Sequence, residues 1–218
     1  MMNIILIAPP AAGKGTQSKL ISSEYNIPHI STGDLLRDEV ASGSVMGNFL
    51  KEAMDRGELI SDDTMVNLLR TRITKVDCNN GYILDGYPRN VEQAIIYDNM
   101  VQDLGMNVGI VIFMDIDKEI TLKRTIGRMV CSACGASYNK DIPELNPRLT
   151  GFCDKCGHTL EVRSDDSIET AMARYDTYIN NTKPLIEYYR NKGMLREIKV
   201  LATDSTSDVF NKIKSIIG

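Results

Sequence analysis

Short apolar runs alternate with longer stretches of mixed polarity along most of the chain. Residues 3–7 (Asn3-Ile4-Ile5-Leu6-Ile7) precede an amphipathic stretch over 14–24, residues 82–84 precede one over 91–103, and residues 108–114 precede one over 118–126. A last apolar run at 195–201 leads into a closing helix over about 207–217, and 27–30 has the makings of a short fifth strand. Strand then helix, repeated, predicts an α/β fold with a parallel sheet covered by helices on both faces.

Two segments break the alternation. Residues 31–60 read as short helices separated by Gly43, Gly47 and Gly57, and residues 127–166 hold four cysteines, two prolines and little helical period. Neither has enough apolar residues to fold far from the main body, so both are expected to be flaps inserted in one core. The expected division is a core of residues 1–30, 61–126 and 167–218, with insertions at 31–60 and 127–166. With 218 residues, 43% hydrophobic and 25% charged, the chain has the size and balance of a globular protein rather than a disordered one. Its net charge of −4 excludes a global positive field for nucleic acid or anionic membrane, so an anionic substrate must meet a local cluster of bases. The apolar start is short, lacks a basic lead and reads as a buried strand rather than a signal peptide. No later run reaches the ~20 residues that span a bilayer, and a cytoplasmic chain is expected.

The first candidate site follows the first run. Ala8-Pro9-Pro10-Ala11-Ala12-Gly13-Lys14-Gly15-Thr16 joins a strand to a helix, the setting in which backbone N–H groups and a helix N-terminus converge on one phosphate. Lys14 is placed to sit on the transferring phosphates and Thr16 to offer its hydroxyl to phosphate or magnesium-bound water. The usual loop opens with glycine, whereas this one has Ala8 there and Ala11 further on; a Cβ at positive φ costs about 1 kcal/mol. The loop alone favours phosphate binding, with an ordinary strand-to-helix turn and an exposed lysine as the alternative.

Residues 82–89 (Tyr-Ile-Leu-Asp-Gly-Tyr-Pro-Arg) end a strand with an acid, a turn and an arginine at the carboxyl edge of the sheet, where open α/β folds bind ligands. Asp85 can orient magnesium through water and Arg89 can fork onto a phosphate, although an Asp-Gly turn with a surface arginine has the same spelling. Ser31 or Thr32 is expected to cap a helix carrying Arg37. Arg124, Arg128, Arg163 and Arg174 bracket the second insertion, as expected of a flap that closes over anions, although scattered surface arginines are the alternative reading. Asp165-Asp166-Ser167 suits a helix cap.

Cys131-Ser-Ala-Cys134 and Cys153-Asp-Lys-Cys156 make two knuckles suited to a tetrahedral zinc cage with no open position, hence a structural one. Two disulfides or an iron–sulfur centre are the rival uses of these thiols. His158 is read as a solvated neighbour and Cys78, the fifth cysteine, as core packing.

Taken together these stretches resemble the adenylate kinase family over nearly the whole chain. The resemblance is carried by Gly13-Lys14-Gly15-Thr16-Gln17, Ser31-Thr32-Gly33-Asp34 with Arg37, Gly57-Glu58-Leu59-Ile60, residues 84–89 with Gln93, Gly127-Arg128, and Arg163 with Arg174. The cysteine pairs resemble the long-lid, zinc-containing, mostly bacterial form. The resemblance implies a P-loop nucleotide kinase fold with a helical AMP-binding insertion and a zinc-bearing lid, catalysing ATP + AMP to 2 ADP with magnesium. It implies that Ala11, Ala12, Gly13, Lys14, Gly15, Thr16, Arg124, Arg128, Ser137, Tyr138 and the backbone near Asp204 meet ATP. It assigns Thr32, Arg37, Glu58, Leu59, Ile60, Gly86, Tyr87, Pro88, Arg89 and Gln93 to AMP. Arg163 and Arg174 would reach the phosphates between the nucleotides, and Lys14, Arg89, Arg128, Arg163 and Arg174 form the expected catalytic set. A monomer acting on ATP, AMP and ADP, without nucleic-acid or membrane partners, is expected. The rivals are a UMP/CMP-type kinase, a nucleotide-binding protein without turnover, and a zinc-ribbon nucleic-acid binder, which the mixed charge around the knuckles opposes.

Overall fold

The computed structural model describes residues 1–55, 61–162 and 167–218. β1 (Met2–Ile7) runs through the loop of residues 8–13 into α1 (Lys14–Tyr25), and β2 (His29–Ser31) into α2 (Thr32–Ala41), α3 (Val45–Asp55) and α4 (Asp62–Ile73). β3 (Gly81–Asp85), α5 (Val91–Asp103), β4 (Ile110–Ile116) and α6 (Lys118–Ile126) follow. Three short strands come next, β5 (Arg128–Cys131), β6 (Ser137–Asn139) and β7 (Leu160–Glu161). The chain closes with α7 (Ile168–Thr177), α8 (Pro184–Asn191), β8 (Leu195–Val200) and α9 (Thr206–Ile217).

The main sheet has the order β2-β3-β1-β4-β8, with every pairing parallel. Successive side chains of a strand face opposite ways, so the continuous apolar run of β1 feeds two cores. Ile5 and Ile7 join Tyr82, Leu84, Val111 and Phe113 against α4, α5 and α8 through Leu69, Ile73, Tyr97, Val101, Leu185 and Tyr189. Ile4 and Leu6 join Ile83, Ile112, Met114 and Ile198 against α1 and α9 through Ile21, Val209 and Ile213. Cys78 is buried in the first of these cores, as expected of a packing residue.

β4 continues past the apolar run that predicts it. Asp115 and Ile116 pair with Lys199 and Val200 of β8, and the Lys199 ammonium lies 3.1 Å from Asp115 and 2.6 Å from Asp117. A charged pair at the solvent edge thus prolongs a strand whose hydrophobic pattern has ended.

In the first insertion the Ser31 hydroxyl accepts from the Asp34 N–H at 3.4 Å and caps α2. The second insertion holds a small antiparallel sheet of order β6-β5-β7. The buried Asn139 ties it to α6, donating to the Arg124 carbonyl at 2.8 Å and accepting from the Asp141 N–H at 2.9 Å. A Cβ on Gly127 would stand 2.4 Å from the Asn139 side-chain oxygen, so a larger residue where α6 turns into β5 would have to push that anchoring amide aside. Between α7 and α8 the helical path widens over Tyr178–Thr182, and the Lys183 N–H bonds the Tyr178 carbonyl five residues back at 2.9 Å. Among the described residues no helix is long and apolar enough to cross a membrane.

Candidate active site

Strand register brings the first chemistry together. Asp85 at the end of β3 pairs with Leu6 of β1 on one side and Ser31 of β2 on the other, so the phosphate loop leaving β1 rises directly beside it. The Lys14 ammonium stands 3.1 Å from Asp85 Oδ1 and the His29 ring 3.2 Å from Oδ2. Burial on its own raises the Asp85 carboxyl, but the His29 hydrogen bond and the Lys14 charge outweigh it and hold the group below the ordinary aspartate value. His29 was not singled out in the sequence. Its only signal is position, on a short strand two residues before the Ser31-Thr32-Gly33-Asp34 run.

Loop strain is confined to one alanine. Ala11 sits at φ 59° and Gly13 at φ 91°, whereas Ala8 adopts no positive φ and is buried against β1's neighbours. The expectation that both alanines burden the loop is corrected at Ala8: its Cβ lies on ordinary backbone and packs.

Two cavities flank Lys14. The larger, about 700 Å³, is walled by the loop residues Ala11, Ala12, Gly13, Gly15 and Thr16, by Arg124 and Arg128, by Ser137 and Tyr138 of β6, and by Asp204. All residues that the resemblance assigned to ATP therefore border one space. Arg124 also reaches the Ala12 carbonyl at 3.4 Å. Burial lowers the Arg124 guanidinium from its usual value, with Asp204 opposing the shift. The Asp204 carboxylate accepts from the Leu201 N–H at 2.7 Å and from Lys212 at 2.6 Å, so it shapes its own turn.

The smaller cavity, about 420 Å³, is bordered by Lys14 again, with Gly86, Pro88, Arg89 and Arg174 and the helical stretch carrying Thr177, Tyr178 and Thr182. Arg89 is aimed by its neighbours: Nε donates to the Gly86 carbonyl at 2.9 Å, the Arg89 N–H donates to Gln93 at 2.8 Å, and its carbonyl accepts from the Thr182 hydroxyl at 2.9 Å. The Tyr87–Pro88 peptide is cis.

Several assigned residues stand behind this wall rather than on it. Thr32 donates to the Gly86 carbonyl at 3.3 Å, and Gln93 donates to Asp62 at 2.7 Å. The Tyr87 side chain is buried in the core at a centroid distance of 6.4 Å from Tyr97. Arg37 is largely exposed and pairs with Asp34. Glu58, Leu59, Ile60 and Arg163 lie outside the described residues.

The four cysteine sulfurs lie within 4.8 Å of one another, with Cys131 3.4 Å from Cys156 and Cys134 3.5 Å from Cys153. A tetrahedral ion with bonds of about 2.3 Å needs sulfurs about 3.8 Å apart, so the donor set fits zinc; a disulfide needs about 2.05 Å. Both knuckles are closed alike. Cys131 accepts from the Gly135 N–H and donates to the Ala136 carbonyl, both at 2.9 Å, and Cys153 does the same with Gly157 and His158, both at 2.8 Å. The closing glycines take φ 65° and 74°, where a side chain would be strained. The Tyr138 hydroxyl, with backbone N–H groups, lowers the Cys153 thiol to about 6, whereas the His158 backbone, which lowers Cys156, is outweighed by neighbouring sulfurs that push it up to about 12. His158 is exposed and stays out of the sulfur cluster, its ring 3.2 Å from the Cys156 carbonyl.

Comparison with known proteins agrees with this geometry. The family model described as adenylate kinase matches residues 6–194. The chain is 43% identical over 220 residues to the adenylate kinase of Clostridium tetani (strain Massachusetts / E88), covering 100% of this chain and 99% of that protein. It is 42% identical over 217 residues to the adenylate kinases of Clostridium perfringens (strain SM101 / Type A) and Thermoanaerobacter sp. (strain X514), covering 100% of this chain and 99% and 98% of theirs. With a phosphate loop, an arginine-lined pair of cavities and a match running from end to end, the chain belongs to the adenylate kinase family.

Proposed function

We propose that this chain is a phosphotransferase that moves the terminal phosphoryl group of ATP to AMP, reversibly, giving two ADP. The observation that carries the reading is the place of Lys14, which borders both cavities and so puts one ammonium at their junction. ATP is assigned to the larger cavity and AMP to the smaller, whose Arg89 and Arg174 suit a second phosphate. Residues 31–60 and 127–166 are proposed as the AMP flap and the lid on a core of the remaining residues.

Phosphoryl transfer leaves a protein little covalent work, so positioning and charge neutralisation must supply the rate. Asp85 holds Lys14 at the junction before an anion arrives. Backbone N–H groups of the loop, Lys14 and Arg128 then take the phosphates of ATP, and Arg89 orients the attacking monophosphate oxygen, fixed by Gly86, Gln93 and Thr182. The lid excludes water that would otherwise compete as acceptor. Magnesium arriving with ATP supplies Lewis-acid neutralisation of the phosphates, and Asp85, ionised near neutrality, would hold its water shell. Zinc held by Cys131, Cys134, Cys153 and Cys156 is structural, a closed thiolate cage having no position for substrate.

The test is a coupled assay of ADP formation from MgATP with AMP, CMP, UMP and GMP in turn. AMP should be preferred by orders of magnitude. Equal or better turnover with a pyrimidine monophosphate refutes the assignment of AMP, and no turnover with any of them refutes the enzyme.

A further inference from the structure

Tyr138 touches both the cysteine cage and the larger cavity. Tyr138 lines that cavity between Ser137 and Asn139, and its hydroxyl lies 3.5 Å from Cys153 Sγ. The same hydroxyl oxygen accepts the Asp154 N–H at 2.8 Å. With one lone pair taken from outside, the O–H proton is left to be donated. A metal-bound thiolate has no proton of its own, so in the loaded cage the bond runs from Tyr138 to the sulfur.

The wall around Tyr138 is built from the knuckles themselves. Asp154 and Lys155, the two residues between Cys153 and Cys156, border the cavity, as do Gly135 and Ala136, which close the first knuckle. Asp154 is held in turn by the Arg148 N–H at 3.0 Å. Opposite Tyr138 in the ladder stands Met129 of β5, two residues before Cys131. Displacing Cys153 therefore displaces the Tyr138 hydroxyl and the cavity wall together, and a molecule pressing on the wall bears on a metal ligand.

We propose that Tyr138 is a positioning residue that couples the metal cage to the nucleotide cavity, so that bound ATP retards metal loss and bound metal tightens ATP. This rests on reading the cavity as the ATP site and the cysteines as a zinc site. Thermodynamic linkage makes the two effects equal in size at equilibrium, and outer hydrogen bonds to metal ligands are commonly worth about 10- to 100-fold in metal affinity.

The experiment compares the zinc-loaded full chain with Tyr138→Phe, which keeps the ring and removes the hydroxyl. Zinc release to a chromogenic chelator is timed with and without saturating MgATP, and the thiolate-to-metal charge-transfer band is recorded on cobalt-substituted protein. The expected results are about tenfold faster zinc release from Tyr138→Phe, a shifted cobalt band, and an ATP protection that is clear in the parent chain and largely lost in the variant. In the parent chain alone, MgATP should shift the cobalt band, a readout that needs no variant to fold. Unchanged release and an unchanged band in folded Tyr138→Phe overturn the hydroxyl's role, and ATP protection that survives the substitution in full overturns the coupling. A parent chain that binds MgATP but takes up no zinc overturns the metal reading and this proposal with it, while leaving the kinase reading standing.

Discussion

The two alanines of the phosphate loop should respond to glycine in opposite directions. Ala11 holds φ 59°, the left-handed region in which a Cβ costs about 1–2 kcal/mol; glycine removes that strain but loses about 0.5–1 kcal/mol more chain entropy on folding. Ala11→Gly should therefore stabilise by about 0.5–1 kcal/mol, or about 1–4 °C in Tm for a chain of this size. Ala8 has ordinary backbone and a buried methyl only 7% exposed. Ala8→Gly gains nothing in strain, loses about 0.5–1 kcal/mol in entropy and forfeits burial of one carbon worth about 0.8 kcal/mol. Its Tm should fall by about 3–7 °C. On the proposed reading phosphate meets backbone N–H groups that both residues keep, so kcat in either variant should stay within a few-fold of the parent. Thermal and urea melts of the two single variants, with activity on the same preparations, make the test. If Ala8→Gly raises Tm or Ala11→Gly lowers it, the strain has been assigned wrongly. A rise in activity by orders of magnitude on restoring both glycines would show the natural loop to be impaired.

Arg89→Ala should fold normally and lose about 10- to 100-fold in kcat/KM for AMP, since charge-assisted hydrogen bonds are worth about 1.5–3 kcal/mol; near-parental turnover would remove Arg89 from the site. The lowered carboxyl of Asp85 makes a pH prediction: the unfolded chain binds its proton first, so the stability gained is fully present above the unfolded value near 4 and is lost as pH falls through the lower folded value. Asp85→Asn should accordingly lose less stability than the parent below about pH 4, and parallel acid-melting curves would refute the assignment. Stripping zinc, or replacing Cys153 and Cys156 by serine, should lower Tm by about 4–8 °C if lid order is worth about 2 kcal/mol, while leaving measurable phosphoryl transfer at moderate temperature. An unchanged Tm would deny the structural role, and complete loss of turnover in a folded protein would tie the metal to catalysis more directly.

Where burial alone sets the pattern, the sequence is readable almost to the residue. The helices over 91–103 and 118–126 keep their predicted bounds, because the apolar face that defines them packs on the sheet. β2 is harder to see, being three residues with polar ends. The strands of the second insertion have two to four residues each and are organised by turns around sulfur, so hydrophobic period says nothing about them. At the site, motif spacing marks which residues gather but not which way they point. Gly86 and Arg89 border a cavity, whereas Thr32 and Gln93, spelled in the same motifs, brace it through hydrogen bonds, and the Tyr87 ring turns into the core. His29 comes into view only through the sheet register that sets it beside Asp85.

The widened turn at Tyr178–Thr182 has a consequence for how this chain can change over generations. A helix advances about 100° per residue and the wider turn roughly 80°, so losing one of these five residues would let the stretch rewind tightly with α7 and α8 keeping their relative rotation. The loss would fall on the cavity wall itself, because Tyr178, Thr182 and the hydroxyl that steadies the Arg89 carbonyl all lie within the widened turn, while the sheet would be untouched. Point substitutions along α8 meet ordinary packing rules, but a deletion between residues 178 and 182 takes a piece out of the cavity wall and its brace on Arg89. Lineages of this protein should drift in composition there while keeping its length.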